Sequence, residues 1–318
     1  MKSQVPLLAA TLLAHAACTS DVAHPSQGYI EVDDSIRLFY RTVGAGADTV
    51  VVPAAMYLAE DLGPLASGRT LIFYDMRGRG RSSRVLDGSK LGFQFEIEDL
   101  ETIRKHFQIN RMSLIGFSYL GAVVALYAAE YPNHVKRIVQ MGPMPPRSVA
   151  PYMENAPPTS LIDSSRVRIL QDMESSGALM SDPTGHCEAY WRTYLVMYVG
   201  NPVMADSITL PCNLRNEWPQ NFSVTYQHVL NKLPEWDWRS LASNIEAPTL
   251  TIHGEADHVA PPDGGREWAA FLPNARLLLL SGVGHLIWSE RPGEFLHSVD
   301  LFLDGQWPRG AEVVRVEP

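Results

Sequence analysis

The stretch Ser113-Leu114-Ile115-Gly116-Phe117-Ser118-Tyr119-Leu120-Gly121 decides how this chain is read. The apolar run Met112–Gly116 predicts a strand, and the Ala-rich run Tyr119–Tyr131 predicts a helix that Pro132 ends. Ser118 stands at the junction. A sharp strand–turn–helix bend lifts a serine hydroxyl to the C-terminal edge of a sheet, where a substrate can reach it. It also sets the serine at a helix N-terminus, where N–H groups and the helix dipole favour developing negative charge. Such a turn is crowded and strained, so small residues must flank it. Gly116 meets that need two positions before Ser118. Two positions after it stands Leu120, with Gly121 one further on. This departs from the usual Gly-x-Ser-x-Gly spacing and implies different packing behind the turn.

A serine hydroxyl is a weak nucleophile at neutral pH. It needs an imidazole base, and the base needs an orienting carboxylate. Two later loops offer them. The predicted strand Thr249–His253 runs into Gly254-Glu255-Ala256-Asp257-His258, and Ala275–Leu280 runs into Ser281-Gly282-Val283-Gly284-His285. Both loops leave the C-terminal ends of strands, where sites in open α/β sheets gather. Asp257 is the expected acid and His285 the expected base, in the chain order serine, acid, histidine. Glu255 is the rival carboxylate. His258 follows Asp257 directly and is expected to point away from it. The strand ending at Met141 is followed by Gly142-Pro143-Met144-Pro145-Pro146, which offers no acid. An oxyanion hole is expected from the N–H of Tyr119 and a second N–H in Pro53-Ala54-Ala55-Met56-Tyr57: that of Ala55 or, alternatively, Ala54. Met56 in the same loop is an expected substrate contact.

Outward from these loops the chain keeps an alternating pattern. Gly28–Val32 and Ile36–Val43 predict an opening hairpin, Thr49–Val52 and Thr70–Tyr74 buried strands, Phe95–Phe107 an amphipathic helix, and Arg137–Met141 a further strand. Strands alternating with helices imply an α/β fold with a parallel sheet covered on both faces. From residue 147 to 240 the alternation stops. This region is rich in Pro, Met, Trp and Tyr, with helical pieces at Ser164–Met173 and His186–Val199. It predicts an inserted helical cap that divides the core into 28–146 and 241–304. Pro292–Leu303 predicts the closing helix, and residues 305–318 a tail with little to bury.

The 318 residues suit one large domain or a core with an inserted subdomain. A net charge of −9 repels phosphate backbones and argues against nucleic acid as a partner. Residues 1–18 predict a secretory signal: Lys2, an apolar centre from Val5 to Ala14, then Ala16-Ala17-Cys18. The centre is too short to span a bilayer. The segment resembles a bacterial lipoprotein signal, although His15 stands where such signals usually carry Leu. That resemblance implies lipidation of Cys18 and a place in the cell envelope or periplasm, the alternative being a soluble exported protein. Any membrane contact would then be through the lipid alone. If Cys18 carries lipid, Cys187 and Cys212 are left as a candidate disulfide pair, since thiols in an oxidising compartment tend to pair. Closing that loop would stabilise the region by roughly 3 kcal/mol. Two buried free thiols are the alternative.

Taken together, these motifs resemble the α/β-hydrolase family, in its prolyl-iminopeptidase-like group. Asp75-Met76-Arg77-Gly78-Arg79-Gly80-Arg81-Ser82 is similar to that group's loop after the fourth strand, Gly116-Phe117-Ser118-Tyr119 to its nucleophile turn, and Gly254-Glu255-Ala256-Asp257 and Gly284-His285-Leu286-Ile287-Trp288 to its acid and base loops. Many members carry His-Gly where this chain has Pro53-Ala54. The resemblance implies a mostly parallel eight-stranded sheet, a Ser-His-Asp triad that needs no cofactor, and a small-molecule or short-peptide substrate. In iminopeptidase relatives, cap carboxylates bind the substrate's free amino group; Glu217, beside Trp218, is the candidate here. Aromatic cap residues such as Trp218, Trp191 and Tyr198 would suit an apolar pocket. Hydrolysis of a carboxylic ester is the leading expectation. An aminopeptidase and a catalytically silent binding protein on the same fold are the alternatives. Gly78-Arg79-Gly80 lacks the third glycine of a dinucleotide loop, and no metal-ligand spacing occurs.

Overall fold

The computed structural model describes residues 26–148, 159–212, 226–230, 233 and 235–315. The expected signal segment with Cys18, and Glu217 and Trp218 of the expected cap, lie outside the described residues.

Eight strands form one sheet: β1 Gln27–Asp33, β2 Ile36–Gly44, β3 Asp48–Pro53, β4 Arg69–Tyr74, β5 Met112–Phe117, β6 Val135–Met141, β7 Thr249–Gly254 and β8 Ala275–Leu280, in the order β1-β2-β4-β3-β5-β6-β7-β8. β1 and β2 pair antiparallel, as do β2 and β4; every other pairing is parallel. The central strands are continuous apolar runs because both faces of the sheet are covered. Val50 to Val52, Leu71 to Tyr74 and Leu114–Ile115 are all buried.

Seven helices matter here: α1 Ala55–Leu58, α2 Phe93–His106, α3 Tyr119–Glu130, α4 Ser164–Ser175, α5 Pro183–Tyr194, α6 Pro262–Phe271 and α7 Pro292–Leu303. α3 is apolar on every side and lies against β5 and β6, with α2 beside it. α6 rests on β7 and β8. α7 packs with the turn Gly63–Ala66, which itself lies on β4.

α5 starts three residues earlier than the sequence suggests. Pro183 fits the first helical position, and the Asp182 carboxylate accepts the Gly185 N–H (3.0 Å). α6 was not legible, since Gly264 and Gly265 weaken its helical signal. The expectation for residues 305–318 needs correction. Trp307 packs on Phe302 beneath the Arg276 guanidinium, and Ala311 is buried. Glu312 exchanges two backbone hydrogen bonds with Leu277, both 2.9 Å, covering the open edge of β8.

The insertion leaves and re-enters the core side by side. Ser148 N–H donates to Trp236 O (2.9 Å), and Trp238 N–H to Pro146 O (2.8 Å). Within it α4 packs on α5, and a disulfide joins Cys187 of α5 to Cys212.

Candidate active site

Ser118 ends β5 and begins α3 with φ 56° and ψ −127°, a conformation that L-residues avoid. Its backbone is pinned on both sides. Ser118 N–H donates to Met141 O (2.9 Å), and Ser118 O accepts from Gly121 (2.9 Å) and Met144 (3.0 Å). These bonds hold a turn that would otherwise relax at a gain of roughly 1–3 kcal/mol. Gly116 is required because a Cβ there would collide with the Leu120 carbonyl. The departure at Leu120 also has a physical reason. Gly121, not residue 120, makes the close approach to Pro143, and Leu120 instead reaches the cavity.

Asp257 and His285 are both buried, and His285 Nδ1 donates to Asp257 Oδ2 (2.7 Å). Asp257 Oδ1 accepts the N–H groups of Val259 (2.8 Å) and Ala260 (2.9 Å). Burial alone would raise the Asp257 carboxyl, but the charges and hydrogen bonds of His285 and His253 hold it well below the usual carboxylate range. The rival Glu255 is exposed. With Nδ1 committed to Asp257, His285 Nε2 is left as the basic nitrogen. The Phe117 ring sits 4.6 Å from the imidazole and the Tyr198 ring 5.8 Å. Ser118 and His285 line one cavity. Among the described residues the Ser118 hydroxyl takes no hydrogen-bond partner; bonds of this kind tighten when substrate is bound.

Ala54 has φ 67°, left-handed for a non-glycine, and lines the cavity. It turns the chain into α1. Tyr57 and Leu58 donate to Ala54 O, and Met56 N–H donates to Asp75 Oδ1 (2.7 Å). Ala55 N–H, among the described residues, keeps no protein acceptor. Tyr119 occupies the first position of α3, where an N–H has no intrahelical acceptor. Met56 is corrected as a substrate contact: α1 turns Tyr57, not Met56, onto the cavity wall. The motif after β4 acts as a brace. Asp75 also accepts the Arg81 N–H (2.9 Å), and the Arg77 guanidinium grips the buried Asp99 through two bonds (2.6 and 2.7 Å).

The rest of the lining is apolar. Phe117, Leu120, Leu286 and Trp288 come from the core, and Trp191, Tyr198, Leu210 and Leu230 from the insertion. Arg79 reaches the same cavity and donates to the Tyr57 hydroxyl (3.1 Å). No carboxylate among the described residues lines it.

Two buried groups escaped the sequence reading. Glu290 accepts Gly284 N–H (2.7 Å) from the base loop and Gly200 N–H (2.9 Å) from the insertion. Tyr198 O accepts the N–H groups of His285 (2.8 Å) and Leu286 (3.1 Å). The insertion is thus fastened to the loop that carries the imidazole. The other is His253, at the end of β7 and 3.2 Å from Asp257. Its spacing, His-Gly-x-x-Asp, was the available signal.

Residues 46–292 match the alpha/beta hydrolase fold family, and the chain belongs to it. It is 24% identical over 273 residues to the bifunctional esterase/perhydrolase DCH of Acinetobacter calcoaceticus, covering 81% of this chain and 92% of that protein. It is 22% identical over 295 residues to the proline iminopeptidase of Heyndrickxia coagulans, covering 88% and 99%. Among solved structures, the esterase RhEst1 from Rhodococcus sp. ECU1013 superposes with a TM-score of 0.67 at 20% identity, covering 88% of this chain and 99% of that one.

Proposed function

We propose that this protein is a serine hydrolase that cleaves carboxylic esters through an acyl-enzyme. The observation that carries the reading is the buried His285–Asp257 pair opening onto the same cavity as Ser118 on its strained turn. In this scheme His285 Nε2 takes the Ser118 proton as Oγ attacks the ester carbonyl. The N–H groups of Tyr119 and Ala55 receive the oxyanion, and the imidazolium returns the proton to the leaving alkoxide. Water then repeats the sequence on the acyl-enzyme. Asp257 stays ionised throughout.

Ester rather than N-terminal amide cleavage is favoured by the lining. The apolar side chains of Leu120, Leu210, Leu230 and Leu286 would match a neutral acyl chain. The relatives include both an esterase and a proline iminopeptidase, so the two activities are compared directly. The purified protein should hydrolyse p-nitrophenyl butyrate with kcat/KM at least about 100-fold above that for proline-p-nitroanilide, a gap of about 2.7 kcal/mol in transition-state binding. A preference for the anilide, lost in Glu217→Gln, would replace this reading with the aminopeptidase.

A further inference from the structure

We propose that His253 is a positioning residue for the triad, holding the second oxygen of the Asp257 carboxylate in line with His285; this rests on the hydrolase reading above. The carboxylate accepts three hydrogen bonds and has the His253 imidazole within ion-pair distance. Val259 and Ala260 N–H groups take Oδ1, and His285 Nδ1 (2.7 Å) and His253 Nε2 (3.2 Å) both reach Oδ2. Asp257 therefore sits between two imidazoles, one at the cavity and one in the core.

The tautomer of His253 follows from its partners. Nε2 lies 2.8 Å from Ala260 O as well as 3.2 Å from Asp257 Oδ2. Ala260 O is a carbonyl at hydrogen-bond distance, so Nε2 carries the proton and donates it there, with the Asp257 carboxylate beside the same N–H. Nδ1 then has no proton, and it has no partner among the described residues. It faces Gly265 of α6, where a Cβ would collide with it. The ring fills a slot with no room to turn.

Leaving a buried nitrogen unpartnered is costly, and a Leu at this strand position would avoid that cost. The chain instead places an imidazole where its one N–H reaches the acid. Val259 and Ala260 fix one carboxylate oxygen, and the His253 ring, held by Ala260 O, stands 3.2 Å from the other and keeps the carboxyl plane from swinging away from His285. The N–H so placed also lessens the negative potential at Oδ2. Without it, Asp257 would hold the His285 imidazolium more tightly. The titratable groups facing the carboxylate are His285 and His253. α6 presents Gly265 to the ring, and the loop after β6 presents Gly142 to Oδ2.

The test compares His253→Leu and His253→Gln, whose amide N–H can replace the lost donor. In His253→Leu, kcat for p-nitrophenyl butyrate should fall about tenfold or more, with KM within about twofold. The acid limb of kcat/KM should move to higher pH. His253→Gln should recover most of kcat and return the acid limb toward that of the unmodified protein. If His253→Leu does not fold, Gly265→Ala presses on the ring without altering its chemistry and should give the same loss of kcat. A folded His253→Leu with unchanged kcat and acid limb would overturn the proposal, as would equal losses in Leu and Gln with an unmoved limb. Labelling of Ser118 by a fluorophosphonate in the unmodified protein keeps the two ideas apart. Its failure would sink the hydrolase reading, whereas labelling with an inert His253→Leu change would sink only the role of His253.

Discussion

The floor and the roof of the cavity are built on different principles. On the floor, backbone bonds place every reacting group. Ser118 is pinned through its own N–H and carbonyl, Asp257 by two loop N–H groups, and the Ala54 turn by Tyr57, Leu58 and the Asp75 carboxylate. The roof offers mainly side chains: Trp191, Tyr198, Leu210 and Leu230. Trp191 follows Cys187 by one turn of α5, and Leu210 stands two residues before Cys212, so the disulfide ties together two parts of the roof. Backbone bonds tolerate many side chains but only one geometry, which is what a fixed reaction needs. An apolar roof tolerates exchange of side chains, which is what a choice of substrate needs.

The contrast can be broken from either side. The largest effect is expected on the floor. Asp257→Asn keeps the shape but removes the charge and the tautomer control, so kcat should fall about 10³–10⁴-fold for every ester tested. Stopped-flow assays over a series of acyl lengths would check that the loss is uniform. Glu290 joins the two regions, and its loss should disturb both. Glu290→Ala leaves the N–H groups of Gly284, Gly200 and Asn201 without their acceptor and frees the base loop from the insertion. Its kcat should drop by about 10–100-fold, with KM rising as well. On the roof, Cys187→Ser with Cys212→Ser should raise KM several-fold for long-chain esters while leaving kcat for acetate esters within about twofold. A uniform loss of kcat in that variant would mean that the disulfide, and not only the hold of Tyr198 O on the base loop, positions the reacting groups.

The smallest effect concerns stability behind the floor. Burial, and next the neighbouring Asp99, push the Glu96 carboxyl up to about 8. Its proton is held more tightly in the folded chain than in the unfolded one. Stability therefore declines as pH rises from the ordinary carboxylate range to about 8. Glu96→Gln cannot ionise and should erase that decline. Scanning calorimetry should find its Tm gaining on the unmodified protein by a few degrees between the two ends of that window. Equal differences at both ends would refute the burial argument.

What the sequence revealed and what it hid follow the same division. The β5–α3 turn and the loops after β7 and β8 are local grammar: a strand pattern, glycines, then one polar residue. Ser118, Asp257 and His285 could be singled out as candidates for that reason, and the structure joins Asp257 to His285 and sets Ser118 on the same cavity. The disulfide partners could be named because an expected lipid on Cys18 would leave only these two thiols to pair. His253 was hidden because a histidine inside an apolar strand looks like filler until its neighbour across the loop is known. Glu290 was hidden because its partner Gly200 is remote in the chain. Tyr57 displaced Met56 because the rotation of α1 depends on the left-handed Ala54 and on the hold of Asp75, neither of which has a sequence pattern. The tail was misjudged because an edge strand's need for cover is a property of the finished sheet.

The central claim is that Ser118 is made nucleophilic by the buried pair beside it. Incubation with a fluorophosphonate, followed by peptide mass spectrometry, tests this most directly. The account predicts a single phosphonyl adduct on the peptide containing Ser118, absent in Ser118→Ala and strongly slowed in His285→Ala. An adduct on another residue, or undiminished ester hydrolysis by folded Ser118→Ala, would contradict it.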